Sequence, residues 1–318
     1  MTASAHRTAL LPDEVTSARR LAAGYAVVVG VTFCLIVLGA LVRANDAGLA
    51  CPDWPLCFGE VVPRLNVKVA FEWGHRVLAG GVALGFAVLA ALTLRQPALR
   101  ARCGRLLAVA AALLALQILL GALTVWQLLA AWTVTSHLIT GNAFAVTLLW
   151  ISLALREHAA PAQHRLVAPA VRRAVLLGAG LLALQMVLGG LVSSRYAGLV
   201  CPEWPTCNGG VWFPSFQGPV GLHLVHRLNG YALLLALVAL ATLGRRAGPR
   251  LQPITALAAG LGLAQVAVGI ANVLLALPAE VTGLHSALAA ALVLTVSVAV
   301  RESLHCDRAA PAVLHTSP

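Results

Sequence analysis

The sequence predicts an all-α integral membrane protein with eight transmembrane helices, arranged as two tandem, duplicated four-helix bundles. Three observations lead to this fold class: a composition poor in charge, apolar blocks of membrane-spanning length, and an internal repeat. The chain has 318 residues, of which 60% are hydrophobic and 10% are charged. Because a soluble domain needs about a quarter of its residues charged to cover its surface, this composition excludes an ordinary water-soluble fold.

Apolar blocks about 20 residues long, the length of a helix that crosses a bilayer core, occur eight times. The predicted spans are 21–42, 73–94, 106–126, 133–155, 174–194, 221–243, 254–275 and 281–300. The first block is too long for the apolar region of a signal peptide and has no convincing cleavage site. We therefore expect it to remain as a helix.

Basic residues predict the orientation of these spans. Most of the 22 lysines and arginines fall in segments that lie on the cytoplasmic side if the N-terminus is inside, as the positive-inside rule requires. The formal net charge of +11 is therefore a signal of topology. It gives no reason to expect a nucleic-acid partner.

Two outer loops carry the internal repeat. Residues 47–57 read AGLACPDWPLC and residues 197–207 read AGLVCPEWPTC, while FEWGHR at 71–76 recurs as HLVHR at 223–227. The repeat predicts that both halves have the same orientation, because four spans return the chain to the inside. The predicted organisation is a cytoplasmic tail, an N-terminal half, a cytoplasmic linker, a C-terminal half and a second cytoplasmic tail, at 1–20, 21–155, 156–173, 174–302 and 303–318.

A glutamine followed four residues later by a glycine occurs in the third, fifth and seventh spans, and Leu35 and Gly39 stand in register in the first. Glycine lets membrane helices approach closely. We interpret these pairs as packing positions and assign them no chemistry.

Histidines at matched positions are the main candidates for chemistry. One lies near the outer end of each even-numbered span: His75, His137, His226 and His285. Ionisable residues within spans are costly and usually functional, imidazole is a common axial ligand of heme iron, and four-helix bundles build cofactor sites between facing helices. The pattern predicts two bis-histidine sites, one in each half. The alternative, interfacial histidines bonded to neighbours, is weakened by the four-fold recurrence.

Two charged residues accompany the first histidine. Glu72 lies one helical turn before His75, on the same helix face, whereas the equivalent position of the second half is His223. Only the first pair therefore has a carboxylate beside it, which predicts that the first half is catalytic. The alternative is a carboxylate that is merely solvated or paired with Arg76.

Arg76 and Arg227 directly follow His75 and His226. A guanidinium at this position can pair with heme propionates as a bidentate donor. It can equally extend toward the membrane interface with its charged end in water. The sequence leaves both interpretations open.

The outer loops each contain two cysteines within a Pro-Trp-Pro frame: Cys51 and Cys57, and Cys201 and Cys207. Proline disfavours helix and favours turns, which can bring such cysteines within disulfide range. An oxidising compartment permits these bonds. Two structural disulfides, or one redox-active pair beside a heme, are both compatible with the pattern.

Eight spans in two halves, a Glu-x-x-His-Arg motif at 72–76, a histidine on each even span and paired loop cysteines together resemble the heme A synthase family. The resemblance covers about residues 20–302. It implies a permanent heme b, the cofactor, on His226 and His285, and the substrate, heme O, on His75 and His137. Glu72 would then lie close to the methyl group that is oxidised, first to an alcohol and then to a hydrate that loses water to leave a formyl group.

The same resemblance implies roles for the loops and the surroundings. Cys51 and Cys57 look like a pair associated with electron transfer, and Cys201–Cys207 looks like a stabilising disulfide. The chain would lie in a bacterial inner membrane with both termini cytoplasmic and its sites toward the outside. Implied partners are membrane lipid, heme O synthase, terminal oxidase assembly factors, an unidentified electron acceptor and further copies of the chain.

Rival functions use parts of the same pattern. A di-heme b-type electron-transfer protein needs the four histidines but not Glu72. A quinone-linked thiol oxidoreductase needs the loop cysteines but not four matched histidines, and a heme transporter is a weaker third alternative. Identification of the extracted hemes separates these classes, because heme O or heme A beside heme b points to the synthase.

Overall fold

The computed structural model describes residues 12–161, 167–245 and 247–305, and these contain eight apolar helices long enough to cross a membrane. The helices are α1 (Pro12–Ala44), α2 (Val67–Leu94), α3 (Pro97–Trp126), α4 (Ala131–Ala159), α5 (Pro169–Ser194), α6 (Gly218–Gly244), α7 (Leu251–Leu274) and α8 (Ala279–His305). Each predicted span falls on one helix. The all-α membrane fold is therefore confirmed.

Several helices begin before their predicted spans because local start signals extend them. Asp13 and Glu14 lie in the first turn of α1, where negative charge interacts favourably with the helix dipole. Pro97 and Pro169 occupy the first turns of α3 and α5, where the missing N–H costs nothing. The Asn66 side chain caps α2 by accepting a hydrogen bond from the helix backbone.

The predicted N-terminal tail at 1–20 is accordingly helical from residue 12 onward. Residues 1–11 and 306–318 of the predicted tails, and residues 162–166 of the predicted linker, lie outside the described residues. The predicted division of the chain into these domains remains a prediction.

All four odd-numbered helices end in the same way, at the end of the bundle that carries the two long loops, 45–66 and 195–217. We call this end the loop end. A backbone N–H just after each helix donates to the carbonyl five residues earlier, and the residue before that N–H has a positive φ. This closure satisfies carbonyls that the helix leaves unpaired. The donors are Ala47, Leu129, Ala197 and Leu277.

Each half of the chain packs as a ring of four helices. Helix α1 contacts α2 and α4, and α3 contacts α2 and α4; in the second half α5 contacts α6 and α8, and α7 contacts α6 and α8. The halves meet where α1 and α4 pack on α8 and where α4 packs on α5. The matching neighbours support the duplication, which itself stays a prediction.

The apolar core lies at the end opposite to the loop end. In the first half it contains Tyr25, Phe86, Phe144 and Leu148, and in the second half smaller clusters surround Leu237. The rings of Phe86 and Phe144 pack edge to face, with ring centroids 5.6 Å apart. Large side chains therefore fill this end, and the four matched histidines lie nearer the loop end.

Polar contacts join the halves at both ends. At the loop end, Arg43 of α1 donates two hydrogen bonds to the second half. One goes to the Ser193 carbonyl in the last turn of α5, at 3.1 Å, and the other to the hydroxyl of Tyr196, just after α5, at 2.8 Å. At the opposite end, Glu157 of α4 accepts two hydrogen bonds from Arg301 of α8. Arg102 also donates to Glu157, at 3.2 Å.

Replacing Arg301 is expected to destabilise the protein, because the Arg301 side chain is only 5% exposed and pairs with Glu157. Its removal makes Glu157 rely on Arg102, which is more exposed and bonds at a longer distance. Breaking a buried ion pair typically costs several kcal/mol, and we expect about 3 kcal/mol for Arg301→Ala. Thermal unfolding in detergent measures the loss. Arg100→Ala, which removes an exposed arginine from the same end, is the matched control; equal unfolding midpoints for the two variants would contradict the prediction.

Candidate functional site

The four matched histidines make the same contact with the preceding helix. Each ring lies against a glycine near the loop end of an odd-numbered helix. A Cβ atom built on that glycine would lie 3.0–3.2 Å from the ring Cε1 atom, closer than side chains normally pack. The absence of a side chain therefore lets each ring lie directly against the neighbouring backbone. The pairs are Gly39 with His75, Gly121 with His137, Gly189 with His226 and Gly269 with His285.

In each half of the chain, the two matched histidines lie close to each other. His75 lies within electrostatic range of His137, and His226 lies within range of His285. All four side chains are half-buried. The structure therefore places the two predicted partners of each half in proximity.

Three of the rings also contact a glutamine amide. Gln117 Nε2 lies 3.3 Å from His137 Nε2, and Gln265 Nε2 lies 3.1 Å from His285 Nε2. These glutamines are the ones that precede the site glycines by four residues, so one helix face supplies both contacts. The amide group is a donor, and each ring nitrogen can accept its hydrogen bond in the neutral state.

The third glutamine is part of a longer network in the second half. Gln185 Nε2 lies 3.2 Å from Nδ1 and 3.4 Å from Nε2 of His226. Asn229 donates to Gln185 Oε1 at 2.7 Å and to the Leu181 carbonyl at 3.1 Å. Since Asn229 engages the amide oxygen, the amide nitrogen is the atom that faces the imidazole.

These surroundings fit a heme held between two neutral imidazoles in each half. The Nδ1 atoms of His75, His137 and His285 are buried and have no hydrogen-bond partner among the described residues. Leaving such a buried polar atom unpaired costs free energy unless a ligand completes the site. The glycines keep side chains away from the rings. A protein ligand set of two imidazoles, without a carboxylate or thiolate, is one that heme iron accepts.

Glu72 lies at the junction of the first histidine helix and its loop. The residue is only 5% exposed, and its two carboxylate oxygens have different partners. Oε1 accepts a hydrogen bond from Arg76 Nη2 at 2.6 Å, and Oε2 accepts one from the backbone N–H of Cys51 at 2.8 Å. The ion pair with Arg76 that the sequence left as an alternative is therefore present, and it is buried beneath the loop.

Arg76 ties α2 to the first loop. Its Nη1 donates to the carbonyls of Asp53 and Leu56 at 2.7 and 2.6 Å, and its Nη2 also approaches the Cys51 carbonyl at 3.4 Å. Most of the guanidinium is therefore engaged by the loop, and within the part of the chain that the structure describes only its Nε–H makes no such bond. The predicted propionate contact stays a prediction.

Arg227 makes the equivalent contacts in the second half. It donates to the carbonyls of Thr206 and Cys201 at 3.0 and 2.7 Å. The Glu72 position is occupied by His223, which is 3% exposed and bonds through Nδ1 to the Ala197 carbonyl at 2.8 Å. The second half thus keeps the arginine clamp but has a histidine in place of the carboxylate.

Both predicted disulfides are present. Cys51 bonds to Cys57 and Cys201 bonds to Cys207, and none of the four cysteines is more than 1% exposed. The first disulfide packs against Val69 of α2. Each disulfide therefore lies under its loop, facing the start of a histidine-bearing helix.

A carboxylate organises each loop from within. Asp53 accepts hydrogen bonds from the backbone N–H groups of Phe58 and Gly59, both at 2.7 Å. Glu203, its counterpart, accepts from Gly209, Gly210 and the Thr206 hydroxyl. Donation from the Gly59 N–H lowers the pKa of Asp53 below its ordinary value of 3.8, and donation from the Gly210 N–H lowers the pKa of Glu203.

Sequence reasoning missed the glutamines as site residues. Gln117 precedes His137, and Gln265 precedes His285, by the same 20 residues. This constant spacing was the available signal. It links a residue near the end of one helix to a residue near the start of the next, which is the geometry of a helical hairpin.

Eight membrane-spanning helices that carry two facing histidine pairs under two disulfide-bonded loops define a multi-pass membrane protein with a candidate cofactor site in each half. A family model described as cytochrome oxidase assembly protein matches residues 24–70 and 65–297. The chain therefore belongs to this family, as the sequence pattern predicted.

Curated relatives include heme A synthases. The chain is 30% identical to the heme A synthase of Shewanella oneidensis over 310 residues, covering 83% of this chain and 91% of the relative. It is 31% identical to that of Alkalihalophilus pseudofirmus over 68% of this chain and 74% of the relative, and 27% identical to that of Methylobacterium radiotolerans over 87% and 88%. The similarity thus extends over both halves.

The loop carboxylates are expected to slow reduction of the adjacent disulfides, because they hold the turns closed over buried sulfur atoms. Asp53→Ala should increase the reduction rate of Cys51–Cys57 several-fold, measured by thiol labelling after brief exposure to a phosphine. The rate at Cys201–Cys207 serves as the internal control, and Glu203→Ala should reverse the selectivity.

The pH dependence of this effect follows from the lowered pKa of Asp53. A carboxyl with a lowered folded-state pKa contributes its full stability above the unfolded-state pKa and loses it as the pH falls through the folded-state pKa. Wild type and Asp53→Ala should therefore differ fully above the ordinary value of 3.8 and converge only as the pH falls through the lowered folded-state pKa of Asp53. A difference that persists in strong acid would contradict the assignment.

Proposed function

We propose that this protein is a heme A synthase, an oxidoreductase that converts a methyl group of heme O to a formyl group. One observation carries the proposal beyond the names of the relatives: the halves share the histidine pair and the arginine clamp, but only the first has a buried carboxylate there. An enzyme with one resident cofactor and one reacting heme needs this asymmetry. Two equivalent electron-transfer sites do not need it.

The substrate, heme O, is assigned to His75 and His137, and the cofactor, heme b, to His226 and His285. Heme b supplies one-electron transfer when it is bound. The chain's own contribution is to hold each imidazole in place against a glycine. Both histidine pairs lie toward the loop end, away from the apolar core. The two sites therefore lie on the same side of the membrane.

Glu72 is assigned the role of general base for the oxidation. Each two-electron oxidation of the methyl carbon releases protons, and a carboxylate within reach can accept one. Glu72 is buried, and its two hydrogen bonds fix it on the first turns of α2. Arg76 and the Cys51 N–H each bind one carboxylate oxygen, so the side chain is held in place before the substrate reacts.

Arg227 is the better placed of the two arginines for a propionate. A guanidinium has five N–H donors. Arg227 uses two of them for loop carbonyls, whereas Arg76 uses four, for the loop and for Glu72. We therefore assign a propionate contact to Arg227, and to Arg76 only through its remaining Nε–H.

Cys51–Cys57 is assigned to electron transfer and Cys201–Cys207 to loop stability. The first disulfide is adjacent to Glu72, because the carboxylate accepts the Cys51 N–H. In the second half no carboxylate makes the equivalent contact among the described residues; His223 bonds to Ala197 there. A change in the oxidation state of Cys51–Cys57 would therefore act directly on the proposed base.

The setting is proposed to be a bacterial inner membrane with the termini cytoplasmic and the loop end outside. The proposed partners are heme O synthase, as the source of the substrate, terminal oxidase assembly factors, as its destination, and an electron acceptor whose identity is open. Membrane lipid surrounds the helices, and association with further copies of the chain is compatible with this arrangement.

Burial argues against a thiol oxidoreductase. Exchange with an external thiol requires access to a disulfide sulfur, and the four loop cysteines are at most 1% exposed. Identification of extracted hemes separates the remaining classes. Heme O or heme A beside heme b supports the synthase, and heme b alone supports a di-heme electron-transfer protein.

Glu72→Gln is expected to reduce heme A formation by about 10²–10⁴-fold, the usual contribution of a general acid–base group, while both hemes remain bound. The amide keeps an oxygen that can accept the Cys51 N–H but cannot act as a base. Heme analysis of cells expressing the variant should show accumulated heme O or its hydroxylated intermediate. Glu60→Gln, which neutralises an exposed loop carboxylate, is the control, and a normal rate for Glu72→Gln would remove Glu72 from the mechanism.

His226→Ala and His285→Ala are each expected to lose heme b while the first half still binds its porphyrin, because the pairs lie in separate four-helix rings. Pigment extraction and optical spectra of the purified variants measure this. His223→Ala is the control, since its Nδ1 is engaged by a carbonyl and it should retain heme b. Equal loss of pigment from both halves would refute the assignment of one heme to each half.

A further inference from the structure

A cavity lies between the second loop and α6, at the loop end of the second half. Its volume is about 310 Å³, and its lining includes the loop residues Trp204, Trp212 and Phe213 and the α6 residues Leu228 and Tyr231. Small-molecule sites have volumes of about 300–1,000 Å³ and are mostly apolar and aromatic. Since Trp212, Phe213 and Leu228 are exposed, the cavity is open to its surroundings and a small ligand can enter.

The aromatic lining is particular to the second half, although the two loops are repeats. The tryptophan that both loops share has different partners. Trp204 donates to the Tyr231 hydroxyl at 2.9 Å, whereas Trp54 packs against Trp126 of α3, with ring centroids 5.9 Å apart. The aromatic walls therefore belong to the half to which heme b is assigned. In the first half smaller residues stand at the positions of Trp212, Phe213 and Tyr231, namely Val62, Pro63 and Gly80.

The polar groups of the lining are hydrogen-bond donors. Arg227 also lines the cavity, and two of its five N–H donors go to the Thr206 and Cys201 carbonyls, which leaves three within the described part of the chain. The Tyr231 hydroxyl accepts from Trp204 and keeps its own O–H to donate. Two donor groups in an aromatic cavity suit a planar, uncharged molecule with two carbonyl oxygens. A phosphate headgroup suits it less, because an anion in apolar surroundings needs fuller pairing.

The position of the cavity relates it to the proposed reaction, whose electron acceptor is open. Arg227 directly follows His226, so the same turn of α6 lines the cavity and carries a ligand assigned to heme b. We propose that the cavity binds the ring of a quinone, which accepts the electrons that leave the substrate. This inference rests on the proposed function. A quinone is soluble in the membrane, so it can enter and leave along the exposed side of α6.

The exchange balances with water as the source of oxygen. Oxidation of the methyl group to the alcohol consumes one water molecule and releases two electrons and two protons. One quinone takes up the two electrons through the second half and two protons from the water at the loop end, and it leaves as a quinol. Oxidation of the alcohol to the hydrate consumes a second water molecule and a second quinone in the same way.

Photolabelling of the purified full-length protein with an azidoquinone, followed by peptide mapping, tests the binding. We expect label within residues 204–231, and excess decylubiquinone should displace it whereas excess phosphatidylglycerol should not. Trp212→Ala should weaken labelling about tenfold, since it removes one aromatic wall, and Val62→Ala, at the matched position of the first loop, should not. Leu228→Trp, which narrows the cavity from the helix side, covers the case in which Trp212→Ala disturbs the loop. Label confined to other segments, or displaced equally by phospholipid, would overturn the proposal.

Oxidation of the chemically reduced protein by decylubiquinone, followed in the heme absorption bands, tests the electron transfer. At subsaturating quinone the rate should fall about tenfold in Trp212→Ala, in line with the weaker binding, and stay at the wild-type value in Val62→Ala. Equal rates for the two variants would overturn the proposal. Neither measurement requires the formation of heme A. A protein that makes no heme A, yet is labelled and oxidised as described, would refute the proposed function and leave the quinone site standing.

Discussion

The close approach of a glycine on one helix to a histidine on the next is the contact on which the rest of the site depends. Any side chain at Gly39 or Gly189 would push the ring of His75 or His226 away from its helix partner. The same glycine sets the distance between the odd and even helices, which brings the glutamine four residues earlier within reach of the ring. The same contact therefore sets both the helix spacing and the position of the histidine.

The loops depend on the same constraint through the arginines. Arg76 and Arg227 follow their histidines directly, so a helix that presents its histidine to the bundle also directs the guanidinium to the loop carbonyls. The loop in turn covers its disulfide and, in the first half, the Glu72 carboxylate. Histidine, arginine, loop and carboxylate form one chain of contacts from the bundle interior to the surface.

Much of this could be predicted from the sequence because its signals are long-range and repeated. Eight apolar blocks predict eight spans, and a histidine at the same depth of each even span stands out against an apolar background. The constant spacing between glutamine and histidine was one signal for the glutamine contacts, but it does not show which side of the helix a glutamine occupies, because an apolar membrane helix has similar composition on its lipid-facing and protein-facing sides. Only the structure shows that Gln117 faces the adjacent ring.

The arginine contacts were also beyond the sequence, for a different reason. Their acceptors are backbone carbonyls, such as those of Asp53 and Leu56, and every residue has a carbonyl. Which carbonyls converge on one point depends on the path of the loop, and that path is set by Asp53 binding N–H groups five and six residues later. Side-chain identity carries no record of this convergence.

The order of the chain has a consequence for how the protein is made. All contacts described for the first histidine pair come from the continuous stretch that ends at Ala159, with α1 and α4 closing the ring. Membrane proteins are synthesised from the N-terminus, and domains generally fold as units in that order. The four helices that surround the first histidine pair therefore leave the ribosome before α6, α7 and α8, and the second half assembles against a neighbour that precedes it in the chain.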